Sequence, residues 1–403
     1  MRVRRTVASV MATVAAGAVA VPLVASPASA DLGVDQSYPV PRSGTYTLHG
    51  HGFGHGHGMS QYGAYGAARR GLDHRQILGF YYPGTSTSRV GGGVRVLISA
   101  DTTSDLVVSS APRLSVRDLG ARKRYVLPAL HGVTRWRLNV DGTHTVVGYY
   151  NGAWHRYEPG GAPHLVGDGQ FHAAVPLTLW TPSGARTYRG YLRAASPSPG
   201  SATRDTVNIV SFDSYVQGLL PAEMPASWSA EALEAQAVAA RTYAAWEREA
   251  NAGRPYQICD TSACQVYRGF SAEDPRGNAA VAATRQQILT YGGAPAFTQF
   301  SSSSGGWTTA GNRPYLVAKP DPYDDFAGNP VHDWTLQLSA SRIAKAYPTI
   351  GRLKRLHVTR RDGHGQWGGR VVTVVLDGTK HDVSLSGDAF RSRFGLRSSW
   401  FAA

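Results

Sequence analysis

The stretch from Tyr215 to Ala244, YVQGLLPAEMPASWSAEALEAQAVAARTYA, limits what this chain can become more than any other segment does. Its second part, Ser229 to Ala250, predicts a long helix: Ser229 stands where a cap belongs, Glu231 and Glu234 complement the positive end, and alanine fills the body. A helix sheathed in small side chains lets neighbouring elements approach closely, so it should be buried at the centre of the fold. Just before it, Gly218, Pro221 and Pro225 predict a turn that holds one carboxylate, Glu223, between Ala222 and Met224. A carboxyl group among apolar neighbours loses hydration, so its pKa should rise and it can stay protonated as a general acid. The plainer reading of Glu223 is a solvated turn residue.

The segments around this centre alternate short strands with turns. Between Val94 and Arg193 the runs VRVLIS, RLSV, TRWRLNV, HTVVGYY, PLTLW and YRGYLR are rich in β-branched and aromatic residues and are separated by turn residues, as strands are. SPSPGS at 196–201 is a loop, and VNIVSF a further strand leading into the Glu223 segment. Residues 67–82 predict one short helix, Asp274 to Gln287 a second, and Ile288 to Tyr291 a strand; the tail from 353 returns to strands and ends in a helical piece at Asp388 to Phe394. The fold class expected is α+β, a mixed domain with a central alanine-rich helix and β-rich flanks.

The periphery speaks to location. Residues 1–30 open with MRVRR, continue as an apolar run and close on ASA, the pattern of a secretory signal peptide cleaved after Ala30. No later apolar run is long enough to span a bilayer, so export as a secreted, extracellular or wall-associated protein without a stable membrane anchor is expected. Loss of Arg2, Arg4 and Arg5 takes the formal charge from +14 to +11. Basicity outside the cell argues against nucleic acid and suits an anionic wall or membrane surface. Cys259 and Cys264 form a close pair, in an exported protein most simply a disulfide. A metal would need two further ligands, and Asp260 is the other candidate in the loop.

Two low-complexity stretches carry polar chemistry. The block TLHGHGFGHGHGMSQYGAYG places His49, His51, His55 and His57 within nine residues. Such imidazoles can bind a transition metal, but no neighbouring Asp, Glu or Cys supports a dedicated site, so a cleft-lining loop in which histidine and Gln61 offer hydrogen bonds is the better reading. Ser301 to Ser304, followed by two glycines, raises the question of a serine nucleophile. No G-x-S-x-G elbow is present, and a hydroxyl-rich binding loop containing Ser302 and Ser303 is expected instead.

Several of these stretches together, VQGLLPAEMP, LEAQAVAARTYA, CDTSACQVYRG, FSSSSGGWT, LSGDAFRSRFGLRSSWF and GHGFGHGHGMSQYGAYGAARRG, resemble the SpoIID/LytB family of bacterial cell-wall proteins across most of residues 43–403. The resemblance implies action on peptidoglycan glycan strands, either as a lytic transglycosylase or as an enhancer of a wall amidase, with no cofactor. Glu223 matches the acidic residue of the family's E-M-P motif, its catalytic acid/base. Arg241 matches an arginine placed near that glutamate, though a helix-surface role fits it equally. Gln236 and Tyr243 share its helix and line either the cleft or the core; Arg241, His55 and His57 are candidates for holding acetamido or lactyl groups. Two departures stand out. The Gly/His segment, 43–90, precedes the core at 91–403 (β-rich over 91–200) instead of following it, which implies a circular permutation after a leader at 31–42. It also requires Trp400 and Phe401 to end near Thr45 to Leu48. Ala263 replaces a histidine found beside the second cysteine in some relatives, some of which hold zinc there; its loss favours the disulfide.

Overall fold

The computed structural model describes residues 32–403, so the signal peptide expected at 1–30 lies outside the described residues. Helices and strands are mixed along the chain, and the fold is α+β. The helices are α1 (Gln61–Arg69), α2 (His74–Tyr81), α3 (Phe212–Glu223), α4 (Ala230–Ala250), α5 (Pro275–Ala283), α6 (Ala340–Ala346) and α7 (Gly387–Phe394).

α4 is the hub. Twelve of its residues are buried, seven of them alanines. Ala232, Leu233, Ala237, Ala240, Ala244 and Ala245 face the largest apolar core, whereas Ala235, Val238 and Ala239 face a second core made with α1, α2 and the Leu289–Leu316 region. A helix apolar on more than one face must be enclosed, and the methyl-sized side chains allow that enclosure to be tight. Ser229 occupies the N-cap position, but its hydroxyl makes no capping bond. The two first-turn glutamates instead contact His74, the first residue of α2: His74 Nδ1 lies 3.1 Å from Glu231 and 2.9 Å from Glu234.

On one side of α4 lie a seven-stranded and a six-stranded sheet built from residues between Gly93 and Cys259. Their facing side chains, among them Trp136, Leu138, Phe171 and Leu192, share one core. A separate core lies between a four-stranded sheet in the order Leu32–Pro39, Leu353–Arg361, Val371–Gly378, Val383–Ser386 and a three-stranded one in which Thr45–His51 lies between Asp333–Ser339 and Phe401–Ala402. The stretch expected as a leader therefore contains an edge strand, Leu32–Pro39, paired antiparallel with Leu353–Arg361.

Three sequence expectations change. The segment before Glu223 is a helix, α3, not a turn. Gly218 sits inside it because Tyr267 and Gly269 pack so closely that a Cβ would come within 2.8 Å of them. Pro225 sets the end: Met224, the residue before it, is extended at φ −141°, ψ 134°, and the helix stops at Glu223. Residues 67–82 hold the end of one helix and the whole of another, because Gly71 takes φ +87° and Asp73 opens α2 with a capping box closed by Gln76. α5 ends at Ala283, four residues short of the expected Gln287, which already belongs to the strand Gln287–Tyr291. The chain ends do meet, one step further along than expected: Phe401 pairs with Gly50 and Ala402 with His49.

Candidate active site

Glu223 is the last residue of α3, so its side chain leaves the helix where the chain turns toward α4. It is half-buried beside a cavity of about 300 Å³ that is also lined by His55, Tyr243, Gln265, Val266, Gln299, Phe300 and the Ser262–Cys264 loop. Glu223 Oε1 accepts the Val266 backbone N–H at 2.8 Å, and Gln61 Nε2 donates to the Glu223 carbonyl at 3.0 Å. Burial raises the carboxyl pKa; the Val266 N–H and the Gln61 amide pull the other way without cancelling it. A carboxyl group that keeps its proton above the ordinary range, held by a rigid backbone donor at the mouth of a cavity, is equipped to give that proton to a bound oxygen.

The loop carrying Val266 is fastened at several points. Cys259 and Cys264 are joined in a disulfide, so neither thiolate is available to a metal. Tyr215 Oη donates to Gln265 Oε1 at 3.0 Å, and Gln265 Nε2 to the Ala240 carbonyl at 3.3 Å. α3, α4 and the disulfide loop thus meet at Gln265, one residue from the donor that grips Glu223.

His55 lines the same cavity and His57 stands behind it, their rings stacked 5.1 Å apart. His55 Nδ1 accepts the His57 backbone N–H at 2.9 Å, which leaves Nε2 as the donor nitrogen. Burial, with the His57 and Arg370 charges, pushes the His55 pKa down to about 3, so the ring is neutral and offers an uncharged hydrogen bond. His57 is likewise lowered by burial; its Nδ1 lies 3.2 Å from the Thr309 carbonyl. Tyr243 borders the cavity from α4, as expected of that residue.

The remaining candidates lie elsewhere. Arg241 is fully buried: its Nε donates to Asp213 at 2.9 Å and Nη1 to the Gln287 carbonyl at 3.0 Å. It ties α4 to the start of α3 and to a strand, and it does not border the cavity. Gln236, two turns before Tyr243, is also fully buried away from the cavity, with no partner for its amide among the described residues. Ser303 donates to Asp324 at 2.7 Å within a buried network that also takes in Ser60, Ser304 and Asn329, and Ser302 meets Tyr62 through its backbone carbonyl. The serine loop therefore braces the Gly/His block and does not present hydroxyls at the Glu223 cavity. Conversely, Gln265, Val266, Gln299 and Phe300 were not singled out from sequence. A backbone donor leaves no side-chain signature, and the cysteine pair was the only hint that this loop is held in place.

Two groupings among the described residues bring three metal-capable atoms together: His51, His332 and Asp333, and His74, Glu231 and Glu234. Neither includes Glu223. No helix among the described residues is long and apolar enough to cross a membrane.

Comparison with known proteins finds similarity over the same part of the chain. A family model described as stage II sporulation protein, SpoIID, matches residues 201–291, the segment holding α3, α4 and the disulfide loop. The chain is 42% identical over 134 residues to a protein named amidase enhancer from Bacillus subtilis, covering 32% of this chain and 17% of that one. It is 32% identical over 226 residues to stage II sporulation protein D of Bacillus amyloliquefaciens and 28% identical over 226 residues to that of Bacillus subtilis; each alignment covers 49% of this chain and 61% of the relative. The matched regions thus span less than two thirds of these relatives. With the E-M-P carboxylate, the alanine-rich helix and the bridged loop gathered around one cavity, the chain is similar to SpoIID/LytB proteins over this segment.

Proposed function

We propose that the protein is a secreted peptidoglycan lytic transglycosylase that cleaves the bond between N-acetylmuramic acid and N-acetylglucosamine through Glu223. The observation that carries this reading is the environment of that carboxyl group: desolvated, raised in pKa, held by Val266 and opening into a cavity. Protonated Glu223 donates to the glycosidic oxygen as that bond breaks and an oxocarbenium-like centre develops. The carboxylate left behind removes the proton from the muramic 6-hydroxyl, whose oxygen closes onto the anomeric carbon as a 1,6-anhydro ring. Because the attacking hydroxyl belongs to the substrate, this chemistry needs no second carboxylate to activate water, whereas ordinary glycosidases use a pair. Among the described residues, no other acidic side chain borders the cavity. Neutral His55 and the Tyr243 hydroxyl are the groups there suited to acetamido or lactyl oxygens, and the positive formal charge, +14 for the whole chain and +11 without Arg2, Arg4 and Arg5, favours an anionic wall.

A second reading has its own observation, the 42% identity to a protein named amidase enhancer. In that reading the cavity binds glycan, Glu223 is dispensable, and the partner is a wall amidase. Incubating purified glycan strands with the full chain separates the two. Soluble fragments released without new reducing ends support a transglycosylase, and new reducing ends indicate hydrolysis by water. Strands bound but uncut, together with a faster amidase on intact wall, support the enhancer.

A further inference from the structure

His51 belongs to the Gly/His block but does not line the Glu223 cavity. It is the last residue of the strand Thr45–His51, whose antiparallel register places it directly opposite Asp333, the first residue of Asp333–Ser339. His51 Nδ1 lies 2.6 Å from Asp333 Oδ1, and His332 Nδ1 lies 3.3 Å from the same oxygen. The two rings meet at 65° with centroids 6.1 Å apart, and the three atoms all fall within 4.8 Å of one another. Convergence of two imidazoles on one carboxylate oxygen is thus written into the strand pairing, not left to a mobile loop.

The other nitrogen of His51 adds an independent constraint. His51 Nε2 lies 2.6 Å from Gln366 Oε1. A neutral ring that donates through Nε2 has a bare lone pair at Nδ1, and that lone pair faces a carboxylate oxygen at 2.6 Å. Two lone pairs at such a distance need a positive centre between them, either a proton on the ring or a metal cation. A side-chain carbonyl on the far nitrogen is also how proteins orient metal-bound imidazoles. Gln366 is held in turn: the Trp400 indole N–H donates to its backbone carbonyl at 2.9 Å, and Trp367 stacks on His51 at 4.7 Å.

We propose that His51, His332 and Asp333 form a divalent transition-metal site, with zinc the best match to its donors. Two imidazole nitrogens and one carboxylate oxygen are a borderline-hard set of the kind zinc takes with three protein ligands and one open position. The open side here has room for a water or a ligand oxygen. His51 and His332 border a cavity of about 350 Å³ whose other walls include Trp307, Asp325 and Gln366. The grouping at His74 lacks these features: its Nδ1 already contacts both glutamates, its Nε2 is buried without a partner, and it serves to fasten α2 to α4.

The test is calorimetric titration of zinc chloride into the full chain after chelator stripping and dialysis near neutral pH. The native chain should bind one equivalent. Asp333→Asn and His51→Ala should lower affinity by more than about 100-fold, and Gln366→Ala by about 10- to 100-fold. His49→Ala, an exposed histidine of the same block, should change nothing. Zinc should also raise the melting temperature of the native chain but not of Asp333→Asn, since a ligand bound only by the folded state stabilises it. Absence of a stoichiometric site in the native chain overturns the proposal. Undiminished binding in Asp333→Asn does so as well, because the metal would then sit elsewhere in the block; this carboxylate is exposed, so the variant tests the site even if His51→Ala fails to fold.

Discussion

At the residue scale the proposed general acid is Glu223, and its desolvated setting could be anticipated because apolar neighbours in sequence remained apolar neighbours in space: Met224 is buried beside it. Arg241 and Gln236 show the opposite case. Helical spacing identifies a face only when the helix has an outside, and α4 is buried around much of its circumference, so periodicity could not tell cavity from core. The carboxyl group's raised pKa has a signed consequence. In the proposed mechanism the general acid is active while protonated, so the rate should fall as pH rises through that raised pKa, above the range of an exposed glutamate. Gln61→Ala removes one of the contacts that lower it, and the alkaline limb of the pH–rate profile should move to higher pH. An unchanged limb would mean that the titrating group is not Glu223.

At the element scale the alanine-rich helix was legible from end to end, since capping residues, first-turn acids and small side chains all pointed to one element. α3 was not, because Gly218 and Pro221 are breakers by local rules. Here the close pass of Tyr267 and Gly269 demands a glycine, and the helix continues through Pro221 at the loss of one i→i−4 hydrogen bond. Tight enclosure of α4 makes a prediction. Ala240→Leu inserts three carbons where both backbone and neighbours are packed, and should destabilise the fold by about 1–3 kcal/mol in urea unfolding. A neutral result would show that the helix has more room than its burial implies.

At the scale of the whole molecule, the pairing of Phe401 with Gly50 brings the last strand against the Gly/His block, and a buried polar knot fixes that block to the serine loop. The proximity was foreseeable from the displaced order of the motifs; the knot was not, because Asp321 and Asp324 lie far in sequence from the serines they hold. Burial, and then the neighbouring charge of Asp324, push the Asp321 carboxyl up to about 7. Between about 4 and about 7 the unfolded chain therefore releases a proton that the folded chain keeps, and stability should decline as pH rises through that window. Asp321→Asn cannot titrate, and its urea midpoint should vary less with pH over the same range. Equal slopes for the two proteins would remove Asp321 from the pH response.

The most direct test of the catalytic account is mass spectrometry of glycan strands, with and without stem peptides, after exposure to the native chain and to Glu223→Gln. The account predicts fragments ending in 1,6-anhydromuramic acid, each lighter by one water than a hydrolysed end, with the variant slower by about 10²- to 10⁴-fold. Anhydro ends formed equally by the variant, or strands left uncut by the native chain, would contradict it.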